Sequence, residues 1–325
     1  MSRQTAKGTI LVTDTLFIFP EHEAALRAAG FKVERLTKAH PSEAELIAAL
    51  KGKAGYIIGG EEAVTTTVAN SLDPAMKAIA FTGADWAHFI PGHTAITQRG
   101  IAITNTPGTT TFAVAEFTLT LILIMQRHIF ELGGLGHAKF MTVPSLADVR
   151  VGIVGIGRIG ERVTRLLLGL GVGEVVYWNR TRKPQLETEL GIAYVSLEEL
   201  CKTCDIISNH TSTQAGTVIT RELLNVTKNS VLCINTGGRD GFDLDALYER
   251  IANQQARAAY DVGGGMHEKR FEQLPLASWY STNTNAGFNT RTMLESTSDM
   301  AVQSVINVLT TGSDQFVVNG VTPTV

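Results

Sequence analysis

The chain has 325 residues, 44% of them hydrophobic, and a formal net charge of −3. That length can hold two domains with real cores. The near-neutral charge, with no long basic run, argues against nucleic acid or an anionic membrane surface as a partner. Three cysteines give no disulfide framework.

The opening stretch, MSRQTAKGTILVTD, has no signal-peptide pattern, because the apolar run after Lys7 is too short. A cytoplasmic protein is therefore expected. Thr9–Asp14 is an apolar run followed by a helical pattern, PEHEAALRAAG, that closes at Gly30. FKVERL reads as a strand, SEAELIAALKG as a helix and AGYIIGG as a strand. SLDPAMKAIAFTGA adds another helix-to-strand step, and GIAITNTPG ends the series at a Pro-Gly turn. Alternation of this kind predicts parallel βαβ units.

The longest apolar stretch, Phe112–Met125, contains Glu116 and is too short to span a bilayer, so a core or interface helix is expected. After a Gly-rich segment the alternation restarts. VRVGIVGIG, EVVYWN, DIISNH, SVLCINT and ARAAYDV read as strands. RIGERVTRLLLGLG, SLEELCKTC, TRELLNVTK and LDALYERIANQQ read as helices. The last segment, from Arg291, reads as one helix that packs on the first domain. Cys201 and Cys204 form a C-x-x-C, but no second Cys/His pair follows at zinc spacing. A helix end running into a buried strand is the expectation there, and no metal site is expected.

Gly155, Gly157 and Gly160 have G-x-G-x-x-G spacing and stand between a strand and an amphipathic helix. In that context the first glycine allows a tight turn, the second lets backbone approach a pyrophosphate, and the third permits close helix–strand packing. The next strand usually ends in Asp or Glu when the ligand is NAD. Here Asn179 takes that position, followed by Arg180, Thr181 and Arg182. These groups suit a 2′-phosphate, so NADP(H) is the expected cofactor.

The segments Arg99–Leu119, VGIVGIGRIG, VTKNSVLCINT, AAYDV and AGFNTRTM occur in one order and spacing. In these the chain resembles the D-isomer-specific 2-hydroxyacid dehydrogenase family over nearly its whole length. The resemblance implies an α/β fold of two Rossmann-like domains, each a mainly parallel sheet flanked by helices, with an active site in the cleft between them. Residues 1–107 with 288–325 would form the substrate domain, and 108–287 the NADP-binding domain. It also implies a homodimer built on the cofactor domain and the helix from about Phe112. Arg158 and Ile159 would join the glycines at the cofactor, as would Thr217. Asn209, His210, Thr211, Thr236 and Asp261 would border the nicotinamide and its ribose.

The family's chemistry uses an Arg for the substrate carboxylate, a His for the proton and a Glu beside that His. Matching the family's N-T-A-R-G to Asn235-Thr236-Gly237-Gly238-Arg239 puts Gly238 at the arginine position, with Arg239 one residue late. The Glu falls on Gly264, with Glu268 further along, and the His on Asn285. A glycine whose N–H helps hold the carboxylate aligns with Asp85, which either opposes an anionic substrate or caps a turn.

The leading expectation is an NADPH-dependent oxidoreductase with a remodelled site, acting on a carbonyl or imine compound that lacks the usual free α-carboxylate and is cationic or hydroxyl-rich. Asp85, His210, Arg239 and Asn285 are the candidate catalytic groups. One alternative is an ordinary 2-keto acid or glyoxylate reductase in which Arg239 and a displaced histidine (His88, His93 or His267) do the usual work. The other is a catalytically silent NADP(H)-binding sensor or scaffold.

Overall fold

The computed structural model describes residues 7–13, 16–38, 40–59, 62–133, 142–262, 269–284 and 286–324. The chain forms two compact units: Met1–Thr110 with Thr290–Val325, and Thr111–Asn289.

The first unit carries five strands: β1 (Thr9–Thr13), β2 (Lys32–Leu36), β3 (Gly55–Ile58), β4 (Ala78–Phe81) and β5 (Ala102–Thr104). All pair in parallel, in the order β2-β1-β3-β4-β5. The central strands β3 and β4 are buried along their whole length, as strands covered on both faces must be. Local chemistry fixes the intervening helices. Ser42 accepts from the Glu45 N–H at 3.3 Å while the Glu45 carboxylate accepts from the Ser42 N–H at 2.8 Å. This capping box starts the helix Glu43–Leu50. The final helix, Arg291–Thr311, starts at the Thr290 cap and stops where Gly312 turns left-handed at φ +78°. It packs on β3, where a Cβ on Gly55 would already meet Val305 and Leu309 at 3.2 and 3.1 Å.

The second unit carries seven strands: β6 (Arg150–Val154), β7 (Glu174–Trp178), β8 (Ala193–Tyr194), β9 (Ile206–Asn209), β10 (Val231–Asn235), β11 (Ala256–Tyr260) and β12 (Trp279–Ser281). Their order is β12-β11-β10-β9-β6-β7-β8, again all parallel. Both sheets with their flanking helices are the Rossmann-like α/β units expected. The short edge strands β8 and β12 and the helix Pro184–Leu190 add to the elements expected from the sequence. The order reverses between β9 and β6, a topological switch point whose carboxyl edge is where ligands enter such sheets.

Two apolar layers cover this sheet. One contains Cys201, Cys204 and Cys233 with Tyr260, Phe271 and Trp279; the other joins β6, β7 and β9 to the helix Thr111–Gln126. All three cysteines are buried free thiols, and among the described residues no cluster could hold a metal ion. Among the described residues no helix is long and apolar enough to cross a membrane.

Candidate active site

At the end of β6, Gly155 takes φ +90°. A Cβ there would be strained and would lie 3.1 Å from the His210 carbonyl carbon and the Thr211 nitrogen. A Cβ on Gly160 would overlap the Gly155 carbonyl oxygen. Gly157 is different: a Cβ on it would meet nothing within 4 Å. It is the N-cap of the helix Arg158–Gly169 and offers no side-chain cap to the free first-turn N–H groups. Room beside the backbone at a helix N-terminus fits a pyrophosphate. Arg158 opens that helix in an exposed position, and Ile159 is part-buried against the β6 layer.

The end of β7 is tied back to this loop. Asn179 Oδ1 accepts from the Ile156 N–H at 3.2 Å, and its Nδ2 donates to the Thr181 carbonyl at 2.8 Å. Arg182 is held by Glu187 through two bonds, 2.8 and 2.7 Å, and lies over the Tyr194 ring at 5.8 Å. Arg182 and Tyr177 both bond Glu187 and hold its carboxyl at about 2, well below the ordinary range. Arg180 is exposed, with no hydrogen bond or ion pair among the described residues.

The loops after β9 and β10 form one body. Asn209 and Asn235, both fully buried, bond at 3.0 Å. Asn209 Oδ1 also accepts from the Thr211 hydroxyl at 2.9 Å, and Asn235 Nδ2 donates to the Gly238 carbonyl at 3.1 Å. His210 Nε2 is 2.9 Å from Ser208 Oγ and its Nδ1 is 3.3 Å from Thr236 Oγ1, which lies 2.8 Å from Thr118 Oγ1. Burial pushes the His210 imidazole far below the usual histidine range. Both ring nitrogens are therefore engaged inside the protein. Thr217, further along the β9 loop, is exposed.

Gly238 sits hard against the β9 loop. Its N–H donates to the Thr211 carbonyl at 2.6 Å. A Cβ at this position would lie 2.8 Å from the Ser212 carbonyl oxygen and from the Thr213 nitrogen and Cα. Those are backbone atoms, so no side chain fits without moving the loop. Arg239 next to it is half-exposed, its Nε 3.8 Å from Asp240 Oδ1.

At the end of β11, Asp261 is 5% exposed and holds the following turn. It accepts from the Thr282 hydroxyl at 2.6 Å and from the N–H groups of Ala286 and Gly287 at 2.9 and 2.8 Å. Asn285, Glu268, Gly264 and His267 lie outside the described residues. In the first unit, Asp85 is half-buried at the N-cap of the helix Trp86–Phe89 and makes no side-chain capping bond. His88 packs edge-on to Phe89, and His93 edge-on to Trp86.

Comparison with known proteins places this arrangement. Residues 121–279 match the model of the D-isomer specific 2-hydroxyacid dehydrogenase, NAD binding domain. The glyoxylate reductase of Thermofilum pendens is 31% identical over 250 residues, which cover 73% of this chain and 70% of that protein. The chain belongs to the D-isomer-specific 2-hydroxyacid dehydrogenase family. Against the glyoxylate reductase of Aeropyrum pernix it is 35% identical over 195 residues, 55% of this chain. The chain spans little more than half the length of that relative, 56%. The solved TT0316 protein from Thermus thermophilus superposes with a TM-score of 0.81 at 30% identity, over 93% of this chain and 96% of that one. An NAD+-bound 3-phosphoglycerate dehydrogenase from Entamoeba histolytica, 20% identical, shares the fold with a TM-score of 0.78 over 96% and 98% of the two chains.

Within this family chain, Ser208, Thr118 and Asn235, the partner of Asn209, were not legible as parts of the site. Each is a small polar residue whose significance is its partner, and the partners are up to 118 positions away.

Proposed function

We propose that this member of the family is an NADPH-dependent oxidoreductase whose substrate, a carbonyl or imine compound, lacks the usual free α-carboxylate. The observation that carries this reading is Gly238. The family's carboxylate-binding arginine aligns there, and backbone of Ser212 and Thr213 fills the space its first side-chain carbon needs. Loss of the guanidinium removes the bidentate partner that a carboxylate requires.

When bound, the nicotinamide supplies or takes up a hydride. Gly155, Gly157, Arg158, Ile159 and Gly160 would carry the pyrophosphate, and Asn179, Arg180, Thr181 and Arg182 the 2′-phosphate. Thr211, Thr217, Thr236 and Asp261 would border the ribose and nicotinamide, with Asp261 acting chiefly through the turn it holds. Of the proposed catalytic groups, Asp85 brings a carboxylate suited to a cationic or hydroxyl-bearing substrate. Arg239 and Asn285 supply hydrogen-bond donors, and a proton comes from Asp85 or a bound water rather than from His210. A homodimer in the cytoplasm belongs to the same reading. Support for a dimer comes from exposed Phe112, Ile129 and Leu132 on and just beyond the long apolar helix, and sedimentation velocity tests it.

The names of the relatives favour a second reading, an ordinary glyoxylate or 2-keto acid reductase served by Arg239. A turnover screen with NADPH over glyoxylate, pyruvate, hydroxypyruvate, aldehydes, ketones and cyclic imines separates the two. Efficient use of a keto acid, with kcat/KM at or above about 10⁴ M⁻¹s⁻¹, overturns the first. No turnover of any compound, with NADPH still bound, leaves a silent sensor.

A further inference from the structure

From the hydroxyl chain around His210 we infer that this histidine is a positioning residue locked as the neutral tautomer with its proton on Nδ1, and that the lock leaves Thr236 able only to accept a hydrogen bond from a ligand. The order of protons follows from counting donors. Thr118 Oγ1 lies 2.7 Å from the Val114 carbonyl oxygen, one turn back in its helix. Two acceptors that close repel, so the single hydroxyl proton of Thr118 lies between them. Thr118 Oγ1 therefore accepts from Thr236 Oγ1 at 2.8 Å. Thr236 has then spent its own proton and can only accept from His210 Nδ1 at 3.3 Å. With Nδ1 protonated, Nε2 is an acceptor, and Ser208 Oγ donates to it at 2.9 Å.

Every link in the chain runs one way, from Ser208 to the Val114 carbonyl. Thr118, Ser208 and Thr236 are at most 9% exposed, so water does not compete. Burial alone accounts for the lowered His210 basicity, with no charged group contributing. The imidazole is thus held out of proton transfer, and its backbone stands against Gly155. Thr236 keeps one lone pair. This last consequence rests on the dinucleotide reading: at a nicotinamide end Thr236 would receive an N–H or O–H donor and would reject a second acceptor.

The test is nitrogen NMR of the full chain labelled at histidine, with His210→Gln to identify the His210 signals among eight histidines. Expected are a protonated Nδ1 and a bare Nε2 that do not titrate from about pH 8 to about pH 5.5. Thr118→Ser should preserve this pattern. Thr118→Val should release it to mixed tautomers and weaken NADPH binding by about fivefold, the scale of one hydrogen bond. A proton on Nε2, or titration within that window, overturns the lock from the parent spectrum alone, whether or not Thr118→Val folds. An unchanged tautomer in folded Thr118→Val overturns it too. If no form binds NADPH but the tautomer is as stated, the lock stands and the dinucleotide reading fails.

Discussion

Asn179 Oδ1 takes the backbone N–H of Ile156 at 3.2 Å, so the residue we propose for cofactor selection also ties β7 to the glycine loop. An aspartate could accept the same N–H while repelling a 2′-phosphate. Asn179→Asp should therefore move the NADPH-to-NADH preference at least tenfold toward NADH, about 1.4 kcal/mol, with a modest fall in Tm because the Nδ2 bond to the Thr181 carbonyl is lost. Fluorescence titration with both cofactors measures this. An unchanged ratio would remove Asn179 from cofactor choice.

The two arginines beyond it are not equivalent. Arg182 is engaged by Glu187, whereas Arg180 is exposed and uncommitted among the described residues. Arg180→Ala should weaken NADPH binding more than Arg182→Ala does, by about 1.5–3 kcal/mol for a lost charge-assisted bond, and should spare NADH. Equal effects on the two cofactors would show a loop without a phosphate role.

Arg182 has a separate signature in acid. Its bonds, first among the causes, lower the Glu187 carboxyl to about 2 from an ordinary 4.5. A folded-state value below the unfolded one gives stability that is present above the ordinary carboxylate range and is lost as pH falls toward 2. Arg182→Ala should shift the acid-unfolding midpoint upward, and Arg180→Ala should leave it in place. Circular dichroism against pH reads both. Coincident midpoints for parent and Arg182→Ala would show that the pair is too solvated to matter.

The alternation of apolar runs with helical patterns placed the two parallel sheets correctly, because buried strands and capped helices carry their signals locally. Ser42 with Glu45 and Gly312 are such signals. The glycine loop was legible for the same reason, since the φ of Gly155 and the contact of Gly160 with the Gly155 carbonyl are demands within one strand–turn–helix unit. The His210 environment was not. Its chain runs through residues 118, 208, 210 and 236, and it is complete only once three elements have packed. The C-x-x-C illustrates the reverse case: a redox spacing is present, but burial decides the chemistry. Burial pushes the Cys201 and Cys204 thiols up to about 12, with Cys233 also raised. Since the thiolate is the reactive form, these cysteines are core side chains and not redox groups.

Asp85 stands at a cap position without capping. Asp85→Asn keeps the size of that side chain and removes its charge. On any substrate the parent turns over, it should lower kcat/KM by up to about a hundredfold, the effect of a charge-assisted contact worth roughly 2–3 kcal/mol. NADPH affinity should not move. Unchanged kcat/KM would take Asp85 out of the substrate site.

Gly238 is where we propose that the family's arginine is missing. If an arginine had merely been lost there, Gly238→Arg would rebuild the carboxylate site and raise glyoxylate turnover. The backbone argues otherwise, because the Ser212 carbonyl and the Thr213 nitrogen already stand 2.8 Å from where a Cβ would go. Even Gly238→Ala should cost about 1–3 kcal/mol as overpacking against backbone, lowering Tm. Gly238→Arg should lower it at least as far without gaining glyoxylate reductase activity. Gly157→Ala is the control: a Cβ there meets nothing within 4 Å, so Tm should hold while NADPH binding weakens, because the methyl occupies the approach to the pyrophosphate. A Gly238→Arg variant with parental Tm and a tenfold gain on glyoxylate would show that the β9 loop yields easily. The missing guanidinium would then be the only barrier to the family's ordinary substrate, and the reading of a substrate without a free carboxylate would fall.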